Sequence, residues 1–149
     1  MYDKRKKIEK IIATARNLIG APYKYGAYTE DYADNQTAFD CSSFIQFIFK
    51  RNGTDLPRST VLQAATKGKE IGIENIRAGD LIFFEGNIGH YRHDLFPGRK
   101  IYIGHAVIYI GDNKIIHACD NAVTSGVVEY NLNDLPNPPY NIVLIKRYL

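Results

Sequence analysis

As far as residue 65 the apolar residues of this chain recur at helical spacing, and from residue 81 onward they come in short β-rich runs separated by turn residues. A chain with helices first, strands later and hairpin-length connections between the strands is α+β with a mainly antiparallel sheet, because parallel strands would need long crossovers between them. Ile8, Ile11, Ile12, Ala15, Leu18 and Ile19 predict a first helix over 4–19, stopped by Gly20 and Pro22. A second starts at Cys41 with Asp40 as its N-cap and ends at Asn52-Gly53. Phe44, Ile45, Phe47, Ile48 and Phe49 make that helix apolar nearly all round, the mark of a central, buried element. Ser59 or Thr60 caps a third, short helix that closes near Gly68. Strands are expected over 81–84, 100–110, 114–119, 126–130 and 142–147, in a sheet of about five or six strands with the N-terminal helices packed on it. The Tyr-containing, Gly/Asp/Asn-rich stretch 20–38 reads as a long loop, and long loops in compact domains are commonly functional.

The 149 residues fit one domain, 1–149, and 45% apolar with 23% charged residues is a composition that folds. No apolar run is long enough to span a bilayer, and the charged start of the chain, lacking a continuous apolar core and a small-residue cleavage site, does not read as a secretory signal. The net charge of +3 is modest, and the cluster Lys4, Arg5, Lys6, Lys7 and Lys10 reads as a solvated helix start, so nucleic acid is not an expected partner. Two cysteines are too few for a disulfide framework, and their spacing does not suggest a structural zinc clip. No cofactor is expected, and the protein is expected to be a monomer.

A thiol held free needs a role. Cys41 stands where a polar loop turns into an apolar helix, and unpaired backbone N–H groups at a helix start favour the thiolate, so its pKa is expected to drop. Its candidate partners are His105 and His117 on a predicted hairpin. A three-residue loop Gly111-Asp112-Asn113 pairs Ile110 with Lys114 and puts both histidines on one face as diagonal neighbours, whereas a two-residue loop would put them on opposite faces. Helix 2 is expected to cover that face, bringing Cys41 to His105. A lone buried cysteine is usually an inert small hydrophobe and a lone strand histidine usually structural, but the three together favour nucleophilic catalysis. Cys119 reads as a packing residue beside His105, and His90 and His93 as surface residues of a connection.

Asp40-Cys41-Ser42, Leu56-Pro57-Arg58-Ser59-Thr60 with Gln63, Ala78-Gly79-Asp80-Leu81, Gly104-His105-Ala106-Val107 and Ile116-His117-Ala118 follow one another in the order and spacing of the NlpC-type cell-wall cysteine peptidases, which the chain resembles over roughly 8–147. The resemblance implies a papain-like fold and hydrolysis of peptidoglycan stem peptides, typically between γ-linked D-glutamate and a diamino acid. It further implies Cys41 as nucleophile, His105 as base and His117 as the group that orients it, with Tyr23, Asp40 and Ser42 as substrate-binding residues. The peptidoglycan stem peptide or muropeptide is then the partner. Ser43, Tyr25 and Ala27 depart from common family residues, and the connection 87–99, with His90, Arg92, His93 and Arg99, is longer than usual and is expected to form a wall or lid of the cleft. Rival readings are a thiol amidase or acyltransferase acting on another amide or acyl group, a non-catalytic wall-binding or phage-tail component, and a zinc module using Cys41, His105 and His117.

Overall fold

The computed structural model describes residues 3–27, 37–66, 68–86, 94–121 and 124–149, with the backbone of 90–91. Three helices come first: α1 (Lys4–Asn17), α2 (Cys41–Lys50) and α3 (Thr60–Ala65). The strands are β1 (Lys69–Ile71), β2 (Leu81–Phe84), β3 (His90–Tyr91), β4 (Tyr102–Ile103), β5 (His105–Gly111), β6 (Lys114–Asp120), β7 (Ser125–Asn131) and β8 (Ile142–Arg147). Six of them form one antiparallel sheet in the order β1-β8-β2-β5-β6-β7, while β3 and β4 pair separately. The expected α+β architecture and most strand positions stand. The run expected over 100–110 is broken at Gly104, whose N–H bonds the Phe84 carbonyl at 3.0 Å, so β4 and β5 belong to different sheets. β1 and β3 were not expected from the sequence; each is too short to carry a period-two pattern.

The two faces of the sheet carry separate cores. On one, Phe44, Ile45, Ile48 and Phe49 of α2 and Ile11 and Ala15 of α1 pack on Leu81, Phe83, Ala106, Ile108, Ile116 and Ala118. On the other, Ile82, Phe84, Val107, Ile115 and Ile145 are covered by Leu132, Leu135 and Tyr140. His105 pairs with Phe84 of the second face, so the expectation that α2 covers the histidine face is corrected. Helix α2 packs on the opposite, uninterruptedly apolar face, and a connection following β7 covers the histidines. The physical reason is area: an all-round apolar helix buries most against the face with no polar side chain. Seven of its ten residues are buried, and Phe39, ahead of it, sets its ring edge-on to Phe47 at 5.2 Å.

The hairpin turn also differs in detail. Asp112 and Asn113 both have positive φ, 52° and 62°, and Gly111 pairs with Lys114, so the loop has two residues with the primed-turn geometry. A register shift between Tyr109 and Gly111 absorbs one residue, and beyond it Ile108 pairs with Ile116 as expected. The bulge therefore does what a third loop residue would have done. At the far edge of β2, Arg147 grips Asp80 with two bonds of 2.8 Å, fastening β8 to the start of β2.

Candidate active site

The site is assembled at the head of α2. Asp40 caps that helix: its Oδ1 accepts from Ser43 N–H at 2.8 Å while Ser43 Oγ accepts from Asp40 N–H at 2.9 Å, a reciprocal capping box. Cys41 is thereby fixed as the first helical residue, with its Sγ 4.0 Å from the Gly104 carbonyl oxygen. The Ala106 backbone N–H also bonds the sulfur, so the thiol rests against the residues on either side of His105. Cys41 and His105 line one cleft of about 580 Å³. With α2 on the opposite face of the sheet, the thiol meets that strand at its first residue, beside the glycine that breaks the run.

Across the hairpin, His105 Nε2 and His117 Nδ1 lie 2.8 Å apart, both rings buried and steeply inclined at 75°. Tyr140 sets its ring 5.4 Å from that of His105 and 6.3 Å from that of His117, and Phe84 closes the other side of His105 at 6.2 Å. Tyr140 escaped the sequence reading because it sits in an irregular Pro-rich connection with no periodicity to mark it.

Burial governs the protonation states. The Cys41 thiol is pushed up to about 12 by burial, with the Asp40 carboxylate adding to the effect and the Ala106 and Ser42 N–H groups and Arg58 opposing it. The expected fall in thiol pKa is thus reversed, because burial disfavours the thiolate and the residue that caps the helix adds a negative charge beside the sulfur. His105 is held well below the usual imidazole range by burial and then by His117, and burial takes His117 down to about 4. The resting groups are a neutral thiol and two neutral imidazoles.

The three residues expected to bind substrate all line the cleft. Tyr23 is positioned by a bridge to Phe39, two residues before Cys41, and by the contact of its segment with β7. That contact requires Gly126: at φ +109°, a Cβ there would stand 2.7 Å from the Ala21 carbonyl oxygen. Burial raises the Tyr23 phenol, with the nearby Asp40 and Asp120 carboxylates adding to the effect, so it stays a neutral hydroxyl. Asp40 and Ser42 are more deeply engaged than expected. Arg58 donates to Asp40 Oδ2 at 2.7 Å, to Ser42 Oγ at 2.6 Å and to the Ala27 carbonyl at 2.6 Å. Gln63 adds bonds to the Ser42 and Pro57 carbonyls at 3.0 and 2.8 Å. Arg58 stood in the sequence as part of a motif without a role; its signal was a cation beside Pro57, directly before the N-cap of α3.

Cys119 is buried with its Sγ 3.9 Å from the Thr124 carbonyl and lines the same cleft. Of the connection expected to wall the cleft, Arg99 instead makes a double bond pair with Glu70 of β1 at 2.9 and 3.2 Å. Arg92, His93 and the side chain of His90 lie outside the described residues. Among the described residues no group of three or more His, Cys, Asp or Glu is arranged to hold a metal ion, and no described helix is long and apolar enough to cross a membrane.

A central helix that presents a cysteine to an antiparallel sheet carrying a histidine pair defines a papain-like domain. The NlpC/P60 family model matches residues 20–135, and the chain belongs to the NlpC/P60 family. It is 34% identical over 110 residues to the gamma-D-glutamyl-L-lysine dipeptidyl-peptidase of Bacillus subtilis, covering 74% of this chain and 31% of that protein. It is 33% identical over 117 residues to the murein DD-endopeptidase/LD-carboxypeptidase MepS of Escherichia coli, covering 77% of this chain and 50% of that one. The P60 domain of an antigen from M. avium subspecies paratuberculosis superimposes with a TM-score of 0.69 at 26% identity, over 96% of this chain and 95% of that domain. The chain thus spans half or less of the two relatives' lengths and nearly all of the separate domain.

Proposed function

We propose that this domain is a cysteine peptidase that hydrolyses peptidoglycan stem peptides at the bond between γ-linked D-glutamate and a diamino acid, through a thioester. The names of the B. subtilis and E. coli relatives support the substrate class, and the residues of the cleft support the chemistry. The observation that carries the reading is the 2.8 Å bond between His105 Nε2 and His117 Nδ1. With Nε2 of His105 donating to His117, its Nδ1 is the nitrogen left to accept a proton, and the sulfur rests beside that residue's own strand.

The resting groups being neutral, proton transfer accompanies attack. His105 Nδ1 takes the thiol proton as Sγ bonds to the scissile carbonyl carbon, and His117 holds the imidazolium that forms. The Cys41 backbone N–H, at the helix start, donates to the oxyanion; a donor in that position is worth on the order of a hundredfold in rate. The C–N bond then breaks, His105 gives its proton to the departing amine, and a thioester remains. Water, losing a proton to His105, attacks the thioester and returns the thiol.

The experiment is digestion of purified stem peptides and of whole sacculi, with products identified by mass spectrometry, beside Cys41→Ala. Cleavage at the γ-glutamyl bond that disappears in Cys41→Ala is expected. Cleavage that persists in Cys41→Ala removes the thiol from the mechanism, and a product set cut elsewhere removes the assigned bond.

A further inference from the structure

A second hollow, of about 290 Å³, lies behind the histidine pair. Its floor is the second face of the sheet, where Val128 and Tyr130 of β7 pair with His117 and Ile115 of β6. Its roof is the connection between β7 and β8, through Leu135, Pro136 and Tyr140. Tyr140 and Cys119 line both this hollow and the cleft, so they stand between the two. His117 lines the hollow and not the cleft, so the little of its ring that solvent reaches is reached from here.

The orientation of that ring gives the hollow a chemical mark. His117 Nδ1 is turned to His105 at 2.8 Å, and the two nitrogens of an imidazole point in nearly opposite directions, so Nε2 points away from His105. With Nδ1 accepting from His105 Nε2, the proton of the neutral His117 ring sits on Nε2. Among the described residues this N–H has no hydrogen-bond partner, although the residue is only 2% exposed. A buried donor left unpaired is costly, and an acceptor arriving in the hollow removes that cost. The rest of the lining is apolar or neutral: Val128, Leu135 and Pro136 supply walls, and burial keeps the Cys119 thiol and the Tyr140 phenol protonated, so no described lining residue carries a charge. A charged occupant would lose hydration with no counter-charge to meet it, so the space suits an uncharged molecule with an apolar body and one acceptor.

We propose that the hollow is a second ligand site, that it takes an uncharged apolar molecule bearing a carbonyl, and that His117 Nε2–H donates to that carbonyl. Such an occupant touches the histidine pair from behind and leaves the substrate cleft open. When His105 takes a proton, His117 feels part of the charge, and an acceptor on Nε2–H stabilises it, so the site is placed to tune the basicity of the pair. The inference takes from the reading above only the tautomer of the two rings and does not need hydrolysis.

The test is nuclear magnetic resonance of the unmodified protein with isotope-labelled histidine, titrated with three probes of one size and shape. Acetophenone carries the carbonyl, α-methylstyrene has a methylene in place of the oxygen, and benzoate carries a charge. Acetophenone is expected to displace the Nε2 resonance of His117, assigned by its absence from His117→Asn, with a Kd on the order of 1 mM, the affinity open to so small a molecule. At equal concentration α-methylstyrene is expected to bind about fivefold more weakly, the net contribution of one neutral hydrogen bond, and benzoate more weakly than acetophenone for want of a counter-charge. Magnetisation transfer from the acetophenone ring to the methyl groups of Val128 and Leu135 is expected to place it in the hollow, with no variant needed. An Nε2 resonance that acetophenone does not displace overturns the inference. So does binding of α-methylstyrene or benzoate as strong as that of acetophenone, or transfer to Tyr23 and Ala118 of the cleft instead. A His117 proton found on Nδ1 overturns both the inference and the tautomer assigned above, whereas cleavage of stem peptides is measured apart and decides only the peptidase reading.

Discussion

Acidification should destabilise this fold through the histidine pair, and the amount follows from the structure. His117 is buried beneath Tyr140 and beside Val128, its pairing partner on the neighbouring strand, and its pKa is lowered from 6.5 to about 4 by burial. In the unfolded chain the same imidazole titrates near 6.5, so between these values the unfolded state binds a proton that the folded state refuses. Stability therefore rises with pH across this window: the contribution is fully present above 6.5 and is lost progressively as pH falls towards 4. The displacement is worth roughly 3 kcal/mol at pH 4, a large fraction of the stability of a domain this size. Carboxylates titrate in part of the same range, so the assay must isolate the imidazole. His117→Asn keeps a side-chain carbonyl that can accept from His105 Nε2 but has nothing to titrate. Urea denaturation of both proteins at pH 7.5, 6, 5 and 4 should show the unmodified protein losing more stability than His117→Asn, by about 3 kcal/mol at pH 4. Parallel curves for the two proteins would refute the reasoning, because His117 would then bind its proton equally in both states.

The rate should follow the same protonation logic: with His105 held well below the usual range, the acid limb of kcat/KM is expected far under 6.5, and a limb at or above 6.5 would mean that burial does not hold the imidazole neutral. His105→Ala should cost more activity than His117→Ala, since only the former removes the proton acceptor; steady-state rates on a γ-glutamyl peptide give the ranking, and the reverse order would exchange the two roles. Arg58→Ala leaves the 8%-exposed Asp40 carboxylate without its cation, so thermal or urea unfolding should report a loss of about 2–3 kcal/mol. The same substitution should change the alkylation rate of Cys41, whose position depends on the Asp40 cap; an unaltered rate would mean that the capping box alone fixes the sulfur.

Much of the architecture was legible because the signals for it are local. Asp40 ahead of a strongly apolar run specifies where α2 begins, and a helix start is set by neighbouring residues in the chain. β2 and β8 were read at their observed bounds because Gly79-Asp80 and Glu85-Gly86 bracket the first and Asn141 precedes the apolar run of the second. The pairing of His105 with His117 was legible for a related reason: parity along two adjacent strands is fixed once the register of their turn is known, and the Tyr109–Gly111 bulge preserved that parity although the turn itself is shorter than expected.

What tertiary structure alone decided are the properties that depend on which surfaces meet. The side of the sheet taken by α2, the arrival of Tyr140 over the two imidazoles from a connection outside the main pattern, and the hold of Arg58 on Asp40 join residues far apart in the chain. The protonation of the thiol belongs with these. The sequence placed Cys41 at a helix start, where the backbone favours a thiolate, but burial sets the balance, with the adjacent Asp40 charge adding to it, and that burial exists only once the sheet has closed around the sulfur.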